Sequence, residues 1–83
     1  MSVIKYPTVT EKAVDKMDFE NKMQFIVDTD AEKAEIVADI EQQFDVEIEK
    51  VTTMVTPQGE KKATVLLTDD YDAQEIASRI GVF

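Results

Sequence analysis

Carboxylates, lysines and hydroxyls are the groups in this sequence that could do chemistry. Its 83 residues hold 18 Asp plus Glu and 9 Lys plus Arg, with no His and no Cys. That excludes Cys–His nucleophile pairs, thiolate zinc and iron–sulfur sites, an imidazole general base and a disulfide framework. Closely spaced carboxylates, Asp69, Asp70 and Asp72 or Glu47 and Glu49, could in principle hold a divalent cation. Asp69-Asp70-Tyr71-Asp72 lacks the central Gly and closing Glu of a calcium loop, however, and capping of a following helix accounts for these acids without a metal. The chain has 2 Gly, so no Gly-rich loop is available to cradle a phosphate for hydrolysis. The residues point away from an enzyme, and no cofactor is expected.

Binding chemistry remains. Lys5, Lys12, Lys22, Lys33, Lys50, Lys61 and Lys62 are spread over the segments, and each taken singly is an ordinary solvated lysine. Lys5 and Lys12 flank a threonine-bearing helix start, and Lys61 and Lys62 follow a turn. Backbone amides at a helix start, with Lys and Thr beside them, can grip phosphates. Against this stands a net charge of −9 and a pI near 4.3, where nucleic-acid binders usually carry basic patches. Residues 31–60 hold 8 acids against Lys33 and Lys50. One explanation is an acidic interaction surface, or a mimic of nucleic-acid charge. The other is adaptation to a very salty cytoplasm, where repulsion is screened within about 3 Å at 1 M salt. The acids are scattered among core residues and form no block, which fits the second.

The elements that must position these groups follow from periodicity. Thr8-Val9-Thr10-Glu11 has the Thr-x-x-Glu form of a capping box and predicts a helix to about Met17. From Asn21 to Asp28, Met23, Phe25 and Val27 alternate with Lys22 and Gln24 as in a half-buried strand, and Ile26 breaks the alternation. Thr29-Asp30-Ala31-Glu32 offers a second cap, before Ile36, Val37, Ile40 and Phe44 at helical spacing; Glu32, Glu35, Asp39 and Gln42 form the opposite face, and the helix should end near Gln43. Val46 and Ile48 start a period-2 pattern that Val51, Thr53 and Val55 continue in the other phase, so a β-bulge is expected near Glu49-Lys50. Pro57-Gln58-Gly59-Glu60 reads as a turn and Lys61 to Thr68 as a strand with Ala63, Val65 and Leu67 on one side. Asp72 caps a last helix that buries Ile76 and Ile80 and stops at Gly81.

The expected fold is a single α+β domain over residues 1–83: a three- or four-stranded antiparallel sheet with helices on one face, in a split β-α-β, ferredoxin-like arrangement. Val3-Ile4-Lys5-Tyr6 could add an edge contact. No stretch is long and apolar enough for a membrane span, and Met1-Ser2-Val3-Ile4-Lys5 has no secretory signal pattern, so a cytoplasmic protein is expected.

Taken in order, Tyr6-Pro7-Thr8-Val9-Thr10-Glu11-Lys12-Ala13, the strand from Asn21 to Asp28, Lys33-Ala34-Glu35-Ile36, Phe44 to Thr53, Pro57 to Ala63 and Asp70 to Gly81 resemble the family of the twenty-third protein of the large ribosomal subunit. The resemblance covers nearly the whole chain. It implies a structural protein that binds large-subunit ribosomal RNA near the exit of the nascent-chain tunnel, beside a small ribosomal protein, and helps form a docking site for the signal recognition particle. Matched residue by residue, it assigns RNA contacts to Lys5, Thr8, Thr10, Lys12, Asn21, Lys22, Lys33, Lys50, Thr52, Lys61 and Lys62.

Members of that family are usually basic, and this chain is not. Glu32 stands where an Asn is common, and Glu47 and Glu49 where lysines are frequent. The connection Thr56 to Glu60 is short, as in archaeal and eukaryotic members, and the acidity then resembles a salt-loving archaeon. In concentrated salt counterion release drives binding weakly, so short-range contacts must supply more. The lysines should therefore line one side, with the acids of the long helix turned to water. The isolated domain is expected to fold poorly at low salt. A free acidic protein-binding or regulatory module on the same fold is the competing reading.

Overall fold

The alternating segments form a four-stranded antiparallel sheet in the computed structural model of the chain, which describes residues 3–8 and 10–79. The elements run β1 (Ile4–Pro7), α1 (Glu11–Glu20), β2 (Lys22–Val27), α2 (Lys33–Phe44), β3 (Ile48–Val55), β4 (Lys61–Leu67) and α3 (Ala73–Arg79), and the sheet order is β1-β2-β4-β3. Both β2 and β3 pair antiparallel with β4. They are therefore parallel to each other, joined by α2, with the hairpin partner inserted between them. This is the expected split β-α-β unit, and the N-terminal segment is a true edge strand.

Odd-numbered residues of the inner strands build the core. Met23, Phe25 and Val27 of β2 and Ala63, Val65 and Leu67 of β4 pack with Met17, Ile36, Ile40, Ile76 and Ala77 of the helices. Phe25 and Phe44 stack with ring centroids 5.5 Å apart, which seats the end of α2 on the sheet. All three helices thus lie on one face.

The helix boundaries differ from the sequence expectation in informative ways. Thr8 is not the first cap, because its N–H still donates to the Gln24 carbonyl at 2.9 Å as part of the sheet edge. Thr10 caps instead, its Oγ1 accepting the Ala13 N–H at 3.1 Å. The helix runs beyond Met17 to Glu20 and ends at Asn21, in the left-handed conformation with φ 56°. Glu32 is the N-cap of α2, and Glu35 reaches back to its N–H at 3.1 Å; α2 ends one residue later than expected, with Asp45 left-handed. Asp72 does cap the last helix, its Oδ1 accepting the Gln74 N–H at 3.0 Å. The expected burial of Ile80 and the stop at Gly81 lie outside the described residues.

The acidic face of α2 is not simply turned to water. Asp39 Oδ2 accepts the Val3 N–H at 2.7 Å, tying α2 to the segment leading into β1. Glu41 Oε2 accepts the Ile48 N–H at 3.0 Å, tying it to the start of β3. These carboxylates satisfy backbone donors that the sheet leaves over.

Candidate nucleic-acid interface

Charge is sorted by element. The strands carry five lysines and one acid, Glu49, while helices and loops carry four basic residues and seventeen acids. The helices cover one face of the sheet, so the even-numbered residues of the inner strands form the other, open face; within it Gln24 and Ile26 are themselves buried, and Lys22, Lys62, Thr64 and Leu66 are half-buried. Its side chains fall in three cross-strand rows: Lys22, Leu66 and Lys50; Gln24, Thr64 and Thr52; Tyr6, Ile26, Lys62 and Met54. In the middle row the buried Gln24 donates through Nε2 to Thr64 Oγ1 at 3.3 Å and Thr52 is exposed, so a strip of amide and hydroxyl groups runs between the lysines with Thr52 its most accessible member.

Two irregularities place residues on this face. The register shifts between Ile4 and Tyr6 on β1 and between Ile48 and Lys50 on β3. Ile4 pairs with core-facing Val27 and Ile48 with core-facing Leu67. Strict alternation would send Tyr6 and Lys50 to the core as well, and the extra residue on each edge strand turns them outward.

Lys50 and Lys62 make no ion pair among the described residues. Lys22 approaches Glu20 at 3.1 Å, and Lys16 approaches the same carboxylate at 3.7 Å. The hydrogen bond from Lys22, then the charge of Lys16, holds the Glu20 carboxyl below the usual carboxylate range. These contacts are intact above that range and are lost as pH falls through the lowered value.

The residues assigned to RNA from the sequence thus divide. Lys22, Lys50, Thr52 and Lys62 share the open face. Lys5 is exposed on the β1 edge, and Lys12 and Lys33 are exposed in the first turns of α1 and α2, in the helical layer. Thr8 Oγ1 is buried with no hydrogen-bond partner among the described residues, and the Thr10 hydroxyl is spent on its cap. Asn21 is engaged inside the chain: Nδ2 donates to the Tyr71 carbonyl at 2.9 Å, and Oδ1 accepts the Ala73 N–H at 2.7 Å. Lys61 points to the helical side, where Nζ donates to the Ala31 carbonyl at 2.7 Å. Replacing it by Met should lower stability by about 1 kcal/mol, the worth of one such hydrogen bond, without changing affinity for RNA; urea denaturation beside filter binding measures both.

Tyr6, Gln24 and Thr64 belong to the open face and are absent from the sequence-assigned set. Gln24 and Thr64 share the even-numbered phase of Lys22 and Lys62, which is the signal that could have found them. Asp69, Asp70 and Asp72, considered above as a cation set, do not assemble with others into a group that could hold a metal among the described residues. Among those residues no helix is long and apolar enough to cross a membrane.

Comparison with known proteins gives the family. The family model described as Ribosomal protein L23 matches residues 2–74. The chain is 62% identical over 82 residues to the large ribosomal subunit protein uL23 of Haloquadratum walsbyi, covering 99% of this chain and 98% of that one. It is 60% identical over 82 residues to the protein of the same name from Halobacterium salinarum, covering 99% and 98%. For that of Haloarcula marismortui it is 59% identical over 81 residues, covering 98% and 95%. These relatives come from halophilic archaea, the setting in which a surplus of surface acids is expected. A lysine-bearing sheet face behind an acidic helical layer is therefore the form taken here by a known ribosomal component: the chain belongs to the ribosomal protein L23 family.

Proposed function

We infer that this member of the family binds large-subunit ribosomal RNA through the open face of its sheet, near the exit of the nascent-chain tunnel. There it sits beside a small ribosomal protein and contributes to a docking site for the signal recognition particle. The observation that carries the RNA reading is the sorting of charge: three lysines and a strip of amide and hydroxyl groups share a face from which the helical acids are excluded. Phosphate contacts fix position on RNA, and hydroxyl and amide groups can reach its 2′-hydroxyls and base edges.

Crosslinking within the intact subunit tests it. Crosslinks to RNA should fall on Lys22, Lys50, Thr52 and Lys62, and those to protein on the helical layer. RNA crosslinks confined to α2 would defeat the assignment of the face. Cofractionation with large subunits in molar potassium salt is expected; a pool of the protein found only free of subunits would favour the acidic protein-binding module. Use of Asp39 and Glu41 as acceptors for backbone N–H groups weighs against that alternative, because it removes two acids from the surface such a module would need.

A further inference from the structure

Tyr6 stands apart from the other groups of the open face. The residue is 47% exposed, in a row shared with Lys62 and with Met54, which is 56% exposed but has no ring and no polar group to anchor it. Its hydroxyl donates to Glu60 Oε2 at 2.7 Å, so the far end of the side chain is anchored to the β3–β4 turn. That turn is itself held, with the Thr56 N–H donating to the Glu60 carbonyl at 2.7 Å and the Glu60 N–H donating to Thr56 Oγ1 at 3.1 Å. The hydrogen bond to the Glu60 carboxylate raises the phenol above its ordinary range, so it stays a protonated donor. A ring fixed at both ends is a prepared flat surface, and the neighbour in its row, Ile26, is only 5% exposed.

We propose that Tyr6 is a stacking platform for one unpaired base of the bound RNA, with Lys62, in the same row, set against the phosphate of that nucleotide. The proposal rests on the reading that the open face holds ribosomal RNA, and it names the part of RNA that this end of the face takes. Glu60 would repel a phosphate placed at the turn, whereas a neutral base tolerates it. Lys62 places the positive charge on β4, two strands from Tyr6 and beside β3, where a backbone can pass. Stacking also suits the salt regime of the relatives: a base on an aromatic ring needs no counterion release, the drive that concentrated salt removes.

The test uses the full chain and deproteinised large-subunit ribosomal RNA in molar potassium chloride, read by filter binding and by base-specific chemical probing. Tyr6→Leu should weaken binding about 5- to 100-fold, the worth of one stacked base, and unmask one unpaired base that the wild type protects. Tyr6→Phe keeps the ring and should keep the protection, with affinity within about fivefold, the worth of one exposed hydrogen bond. Glu60→Gln keeps an acceptor and should behave as Tyr6→Phe or better. Urea midpoints identify any loss due to unfolding, and the protection pattern of Tyr6→Phe keeps the test decisive if Tyr6→Leu is destabilised. Wild-type binding and protection by Tyr6→Leu, while charge reversals at Lys50 and Lys62 weaken binding, would overturn the stacking site and leave the RNA face standing. Absence of RNA binding by the wild type would overturn both.

Discussion

Reversing two charges on the open face, Lys50→Glu together with Lys62→Glu, should weaken binding to deproteinised large-subunit ribosomal RNA by about a hundredfold at moderate salt. Both ammonium groups are without an ion pair among the described residues, so neither reversal breaks a contact within the fold. Each removes one phosphate attraction and adds one repulsion. The slope of log affinity against log salt should become shallower by roughly 1.5, the share of two phosphate contacts. The control is Lys33→Glu, an exposed position in the first turn of α2. It changes the net charge in the same sense but lies in the helical layer. If Lys33→Glu harms binding more than the double reversal, the RNA lies on the helices and the open face is not the interface.

Asn21→Ala should lower the stability of the domain by about 3 kcal/mol, from a lost internal hydrogen-bond pair and a strained backbone. Asn21 lies where α1 ends and β2 begins, and its amide spans the gap to the β4–α3 connection through Tyr71 and Ala73. Ala73 is fully buried, so without Oδ1 its N–H has no water to turn to. The left-handed φ of 56° adds roughly 1 kcal/mol for a residue with a Cβ and no local amide. Asn21→Gly carries the first cost but not the second, and should lie about 1 kcal/mol above the Ala variant. Asn21→Asp retains an acceptor for Ala73 while placing a carboxylate against the Tyr71 carbonyl, so it too should be destabilised. Urea denaturation of the three variants measures this, and Ala and Gly variants as stable as the parent would remove the clamp from the account. Corrected for the folded fraction, RNA affinity should not change, in contrast to the role that family resemblance assigned to this residue.

The helices, the strands and the split β-α-β topology were legible because each rests on a repeat of apolar positions that survives in one sequence. The bulge near Glu49-Lys50 was legible for the same reason, since the phase of Val46 and Ile48 fails to match that of Val51 and Val55. The bulge in β1 was not. Its strand has only four residues, too few for a phase change to show, and so Tyr6 could not be assigned a face. Lys61 and Lys62 illustrate a second limit. Adjacent lysines after a turn look equivalent in sequence, but alternation sends one to the Ala31 carbonyl and the other to the open face. Asn21 illustrates a third: its partners lie beyond residue 70 in the chain, and no local pattern announces them.

The carboxylates that accept backbone N–H groups divide the acidic surplus into two populations with different tolerance to redesign. Asp30, Glu47, Asp69 and Asp70 are exposed and make no side-chain hydrogen bond among the described residues; amide or lysine replacements there would relieve self-repulsion without touching the scaffold. Asp39, Glu41, Glu35 and Asp72 each satisfy a backbone donor. Lysine at any of these would orphan an N–H while reducing the negative net charge by the same amount. A variant adapted to dilute buffer is therefore reached through the loops first, and the long helix keeps its acids even when the solvent no longer calls for them.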